Sequence, residues 1–250
     1  MKEQINKVIE FLKEQPVEGC IAGSCLLDYF PDQDVDCFLY DISSFTEMFY
    51  ILKHNPMFVL ADKVQKWSAN KFRKNIETSL KKNKIISIKF LYNTCVTVNL
   101  VIKSNADNIY SVLSSFDMDI ICKGYDLLTK ETFDFTYGST ITKKASWNKL
   151  NKKFYDPELW NVKSILRQIV RVFKYFERGY DVDNVILKYI ELSNNIQELE
   201  NIFDSPRYEE FLKPAKINTL VIKNICECWL QNHTISEKEL ELLKLTIKQL

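Results

Sequence analysis

Asp34 and Asp36 flank Val35 at the start of the run Val35-Asp36-Cys37-Phe38-Leu39-Tyr40, whose β-branched, aromatic and apolar residues predict a strand. Alternation along a strand sends both carboxylates to one face, roughly 6 to 7 Å apart. Two carboxylates so placed can share divalent metal ions. A Gly23-Ser24 turn precedes the pair, with nine residues between. Each feature also has an ordinary structural use, because aspartates behind a proline, as in Pro31-Asp32-Gln33-Asp34, commonly cap loops and Gly-Ser is a common turn. The elements around the pair therefore decide how it is read.

Ile5, Val8, Ile9 and Leu12 recur at helical spacing, which predicts an amphipathic helix ending before Pro16. Gly19 to Ala22 reads as a short strand, followed by a short helix capped by Ser24 and closed by Pro31. After the acidic strand, Ser43 or Ser44 is placed to cap a helix over Thr46 to Lys53, and Phe58 to Ala61 follows as an extended stretch. Ile85 to Leu91 and Cys95 to Lys103 form a predicted hairpin around Tyr92-Asn93-Thr94. A helix over 105–115 leads to a second hairpin, Asp119 to Tyr125 with Thr132 to Tyr137. From Thr140 a lysine-rich linker without strand pattern runs to Asp156. Asp156-Pro157-Glu158 is a strong helix start and Gly179 a clear stop, with further helices expected over 183–203, 206–212, 216–231 and 236–250.

A content of 46% hydrophobic and 13% aromatic residues over 250 positions supplies ample core, and 5 glycines with 6 prolines argue against disorder. The 7 cysteines are odd in number and sit mostly in apolar runs without a secretory signal, so reduced thiols and an intracellular, cytoplasmic location are expected. Zinc-type spacing is missing, since Cys226-Glu-Cys228 is the close pair and His54 and His233 read as surface residues. No apolar run is long enough to span a membrane. Hydrolase, ATPase and dehydrogenase motifs are likewise missing.

Net charge is +1, yet Lys63 to Lys84 and Lys143 to Arg178 each carry +7 against −13 elsewhere. A polyanionic partner and solvated helix faces both account for such runs. Within the second segment Lys163, Arg167, Arg171, Lys174 and Arg178 are spaced by four, four, three and four, which lines one helix face with cations suited to a phosphate track such as RNA. Trp67 and Phe72 in the first segment can stack bases, although anchoring a helix on the core is the commoner use.

Gly23-Ser24, the nine-residue spacing and Asp34-Val35-Asp36 within a strand together resemble the signature of the polymerase-beta-like nucleotidyltransferase superfamily. The order strand, glycine-serine turn, helix, acidic strand and later hairpin is similar to that fold over about residues 1–140. The resemblance implies transfer of a nucleoside monophosphate from an NTP, with Asp34 and Asp36 holding Mg²⁺ or Mn²⁺. It also implies that Gly23 lets backbone approach phosphate and that Ser24 binds phosphate oxygens. Asn99, in Thr97-Val98-Asn99-Leu100-Val101, falls where the family places a third acid, and asparagine cannot take a proton as a carboxylate base does. Metal activation alone, a charge from Asp117 or Asp119, or an inactive site are the three ways to accommodate it; solvated capping is the preferred reading of Asp117 and Asp119. By the same resemblance Lys174, Tyr175 and Arg178 in Lys-Tyr-Phe-Glu-Arg-Gly-Tyr would help hold the nucleotide.

The expectation is an α+β protein: a nucleotidyltransferase-like mixed sheet with flanking helices over 1–140, a basic linker over 141–155 and a C-terminal helical domain over 156–250. The acceptor is left open among an RNA 3′ hydroxyl, a small molecule and a protein hydroxyl, as is the oligomeric state. The alternative is a degenerate module that binds nucleotide or nucleic acid without catalysis. A toxin-like or immunity role would use the same residues.

Overall fold

Ile5, Val8, Ile9 and Leu12 form the buried stripe of α1 (Lys2–Lys13) in the computed structural model. The structure describes residues 1–28, 30, 33–61, 69–82, 84–151, 171, 174, 175, 178–182 and 185. By compactness the chain divides into residues 1–140 with 148–151, and residues 141–147 with 152–250.

In chain order α1 is followed by β1 (Gly19–Ala22), a 3-10 turn (Ser24–Leu26), β2 (Val35–Leu39), α2 (Ile42–His54), β3 (Phe58–Leu60) and α3 (Ala69–Lys81). Then come β4 (Ile86–Tyr92), β5 (Val96–Ile102), α4 (Ile109–Leu113), a second 3-10 turn (Asp119–Ile121), β6 (Lys123–Asp126), β7 (Thr132–Asp134) and α5 (Ser139–Thr142). The seven strands make one mixed sheet in the order β3-β4-β5-β2-β1-β6-β7. β2 pairs parallel with β5, and the other pairs are antiparallel. The expected α+β architecture, a mixed sheet with flanking helices, is therefore what residues 1–140 form; of the helix expected from Asp156 to Gly179 only residues 171, 174, 175, 178 and 179 are described, and the later expected helices lie, apart from Val185, outside the described residues.

Alternation gives the central strand two different faces. Val35, Cys37 and Leu39 are buried in a core with Val98, Leu100, Phe45, Phe49 and Phe72, where α2 and α3 cover the sheet. The Phe49 and Phe72 rings stack at 4.4 Å between centroids, so Phe72 anchors its basic helix and the anchoring reading holds for it. Trp67 lies outside the described residues. On the opposite face Cys20, Ala22, Ile109, Val112 and Leu113 form a second cluster against Phe38 and Tyr40. Gly124 on β6 makes room for α4, since a Cβ there would lie 2.9 Å from Ile109 Cδ1.

Several local expectations shift. Asp41, rather than Ser43 or Ser44, caps α2: its carboxylate accepts from the Ser44 N–H and the Ser44 hydroxyl at 2.9 and 2.7 Å. A carboxylate capping the positive helix end gains charge assistance that a hydroxyl lacks. Gly23, not Ser24, precedes the 3-10 turn, and Ser24 is the turn's first residue. The 105–115 helix contracts to α4 because Asn108 caps it through a reciprocal pair of bonds with Ser111. Asp119 opens a 3-10 turn, and the strand begins at Lys123.

Asp117 and Asp119 are both buried, contrary to their reading as solvated caps. Asp117 Oδ1 accepts from the Met118 N–H at 3.0 Å. The turn they occupy packs under the second cluster, with Cys122 donating its thiol to Met118 O and Leu113 O. Beyond α5, Asn148 Nδ2 reaches Leu113 O and Phe116 O, both at 2.9 Å, and Asn151 Nδ2 reaches Phe116 O at 3.0 Å. These amides bind carbonyls at and just beyond the end of α4, where Leu113 O also accepts from the Phe116 N–H. Part of the linker is not irregular: Lys144 bridges Asp181, with Asp181 N–H to Lys143 O at 2.7 Å and Ala145 N–H to Asp181 O at 2.8 Å.

Candidate functional site

Asp36 sits in register with Asn99 across the parallel pair β2–β5, and with Ala22 across the antiparallel pair β1–β2. Residues in register on neighbouring strands share a face. Asp34, immediately before β2, falls on the same face by alternation, and all three polar side chains are half-buried. Their inward-facing neighbours Val35, Cys37, Val98 and Leu100 fix that register by burial in the main core.

The Asn99 amide joins the pair. Its Nδ2 donates to Asp34 Oδ2 at 2.8 Å and to Asp36 Oδ1 at 2.9 Å. A primary amide has two N–H donors, and here each carboxylate receives one. The structure thus brings together Asp34, Asp36 and Asn99, which lie 65 and 63 positions apart along the chain.

The glycine-serine turn enters from β1. Gly23 has φ 94° and ψ −152°, a backbone region that side-chain-bearing residues rarely adopt. A Cβ at Gly23 would stand 3.7 Å from Asp36 Oδ2, so space is available and the positive φ is what demands glycine. Its N–H donates to Lys123 O at 3.2 Å, tying the turn to β6. Ser24 is buried beside it, and the Cys25 thiol donates to Ala22 O. Burial, followed by the nearby Asp36 carboxylate, pushes the Cys25 thiol well above its ordinary pKa.

Gln33 was not singled out from the sequence. Its buried Nε2 donates to Ser24 O and Asp28 O, each at 2.7 Å, closing the loop between the turn and Asp34. The only signal available was a glutamine between two aspartates, which has no pattern of its own. Lys89 carries no sequence signal either. It lies opposite Asn99 in the β4–β5 register and is exposed, with Ile88 and Phe90 turned into the core. The row Lys89, Asn99, Asp36 and Ala22 therefore crosses four adjacent strands on one face.

Hard anionic oxygens are the ligands that Mg²⁺ and Mn²⁺ prefer. Asp34 Oδ2 and Asp36 Oδ1 both approach one nitrogen within 2.9 Å, so the pair converges on a single point. Among the described residues no group of three or more His, Cys, Asp or Glu is placed to hold a metal ion. Two carboxylates with water and phosphate oxygens nevertheless make an ordinary Mg²⁺ donor set.

The remaining sequence-predicted residues belong to the second unit. Tyr175 is buried and meets Tyr180 edge-on at 5.9 Å, and the guanidinium of Arg178, its Nε and Nη1 buried, lies over the Tyr175 ring at 5.3 Å. Arg171 is exposed and Lys174 half-buried. Lys163 and Arg167 lie outside the described residues. His54 is exposed, its Nδ1 2.9 Å from Tyr50 O.

No protein-family model matches the chain, and no curated protein does. Solved structures do. A Thermotoga maritima CCA-adding enzyme complexed with tRNA_CCA is similar at 12% identity and TM-score 0.47, over 98% of this chain and 53% of that one. A tRNA-processing enzyme in apo form I is similar at 13% identity and TM-score 0.48, over 99% of this chain and 56% of that one. A tRNA-processing enzyme with CTP is similar at 12% identity and TM-score 0.47, over 100% and 56%. The chain spans little more than half the length of these structures. Likenesses this distant leave function to be argued from the site.

Proposed function

We propose that the protein is a divalent-metal-dependent nucleotidyltransferase that moves a nucleoside monophosphate from an NTP to a hydroxyl acceptor, with RNA the favoured acceptor. The observation that carries this reading is the convergence of Asp34, Asp36 and Asn99 on one face, at register positions of β2 and β5 beside the Gly23 turn.

Asp34 and Asp36 would hold the ion, Mg²⁺ or Mn²⁺, and such ions supply charge neutralisation at phosphate and at the attacking and leaving oxygens. The chain's own residues do the positioning. Gly23 gives a turn without a side chain at the edge of the acid pair, and Gln33 holds that turn against Asp34. Asn99 donates to both carboxylates but cannot accept a proton from the attacking hydroxyl. Lys89, one strand over, adds a cation on the face that would receive the triphosphate. The basic positions of the second unit, Lys163, Arg167, Arg171, Lys174 and Arg178, would contribute a phosphate track for RNA.

A second reading has its own observation. Because the Asn99 amide gives both of its N–H groups to the acids, the same site suits a module that binds nucleotide without catalysis. Incubation with each labelled NTP, with Mg²⁺ or Mn²⁺ and RNA, protein or no added acceptor, separates the two. Incorporation supports the enzyme; nucleotide binding without incorporation under any combination assigns the module.

A further inference from the structure

The Asn99 amide nitrogen stands at the point where Asp34 Oδ2 and Asp36 Oδ1 converge, the point that a divalent cation shared by those two oxygens would take. Asp34 Oδ2 and Asp36 Oδ1 lie 2.8 and 2.9 Å from Asn99 Nδ2, whereas Mg²⁺ ligands sit at about 2.0–2.1 Å. An ion bound between those oxygens requires the amide nitrogen to turn away.

We propose that Asn99 is a positioning residue that acts as a neutral placeholder: its amide occupies the acid pair when no cation is bound, so that the bare site holds metal weakly and acquires its ion together with the triphosphate. This rests on the nucleotidyltransferase reading only in taking a divalent ion and an NTP as the visitors.

The physical chemistry has two parts. Two carboxylates on alternate positions of one strand repel each other, and half-burial strengthens the repulsion relative to water. Two charge-assisted hydrogen bonds from one amide relieve it without adding net charge. A cation that takes the point where Asp34 Oδ2 and Asp36 Oδ1 now meet the amide must displace it from both oxygens, which lowers its affinity for the protein alone. Phosphate oxygens that arrive with the ion supply the missing donors, so metal and nucleotide binding reinforce each other. An aspartate at position 99 would act in reverse, destabilising the empty site and tightening its grip on the ion.

The test is Mn²⁺ binding followed by electron paramagnetic resonance, with thermal melting in chelator and in Mn²⁺, for wild type, Asn99→Ala, Asn99→Thr and Asn99→Asp. An Asp34→Asn variant of each identifies binding at this pair. Removing the competing amide is expected to tighten Mn²⁺ about tenfold in Asn99→Ala, with Asn99→Asp tighter again. Melting in chelator should follow the opposite order, and Mn²⁺ should restore the loss. If Asn99→Ala does not fold in chelator, Asn99→Thr, which keeps strand propensity without two donors, gives the same comparison. Equal or weaker Mn²⁺ binding in the Ala and Thr variants, still abolished by Asp34→Asn, overturns the placeholder while leaving the metal reading intact. No Mn²⁺ binding in any variant overturns both. The expected affinity order in a protein that transfers no nucleotide supports the placeholder and removes the enzyme.

Discussion

Asp36 and Asn99 face one another across β2 and β5, with Asn99 Nδ2 2.9 Å from Asp36 Oδ1. The pairing is parallel, the sheet's single such contact among the described strands, and it places two strands distant in sequence side by side at the sheet's centre. Exchange of both acids should therefore remove chemistry before it removes structure. Asp34→Asn with Asp36→Asn is expected to abolish incorporation from labelled NTP, by more than the roughly 10–100-fold typical of lost outer-shell partners, with the melting temperature nearly unchanged. Wild-type incorporation in the double variant would remove Asp34 and Asp36 from the chemistry.

Gly23 is held at φ 94°. Gly23→Ala meets no steric obstacle, its Cβ lying 3.7 Å from Asp36 Oδ2, so its cost is backbone strain of about 1–3 kcal/mol. Urea unfolding should show this loss together with reduced transfer. An unchanged midpoint would mean that the turn relaxes into ordinary backbone.

Gln33 closes the loop that delivers Asp34, through bonds of 2.7 Å to Ser24 O and Asp28 O. Gln33→Leu keeps much of the volume and leaves those carbonyls without this donor, at an expected cost of about 1–3 kcal/mol. Transfer should fall more than stability explains, because Asp34 loses its support. Activity per folded molecule equal to wild type would make Gln33 a purely structural residue.

Stability should decline in alkali. Burial pushes the Cys20 thiol up to about 12, against a smaller opposing effect of the Tyr40 hydrogen bond, and burial likewise raises Cys25, Cys37 and Cys122. Unfolded thiols ionise near about 8.5. Above that pH the unfolded chain releases protons that the folded chain keeps, so stability is fully present below it and is lost towards the folded pKa, at up to about 1.4 kcal/mol per pH unit for each thiol. Urea midpoints measured under reducing conditions from pH 8 to 10.5 should fall, and Cys37→Ala should flatten the decline. A flat profile for wild type would contradict burial of these thiols.

RNA affinity is expected to drop steeply with salt where the basic positions between Lys163 and Arg178 contact phosphate. Arg167, Arg171 and Lys174 changed together to Glu should eliminate binding in a filter or anisotropy assay. Unaltered binding would assign those cations to a solvated face.

Local pattern was enough for most elements. Helical spacing marked α1, alternation marked β2, and turn chemistry marked the β4–β5 hairpin, where Asn93 and Thr94 take φ 47° and 60°. The acid pair and the Gly-Ser turn were legible because their spacing along one short segment already encodes proximity. Caps were less legible, since Asp41, Ser43 and Ser44 all bear suitable oxygens and the choice depends on where the chain turns into the helix.

What sequence alone determined is the pair of carboxylates on one strand face, the glycine that must precede them and the apolar residues that bury the other face. Periodicity of two and backbone sterics are local properties, readable without a partner strand. Tertiary structure decided that Asn99 grips both acids, that Lys89 stands in the same row, that Gln33 holds the turn, and that Asp117 and Asp119 are buried. Those relationships depend on strand order and register, which are set by how the two apolar clusters pack rather than by any neighbour in the chain.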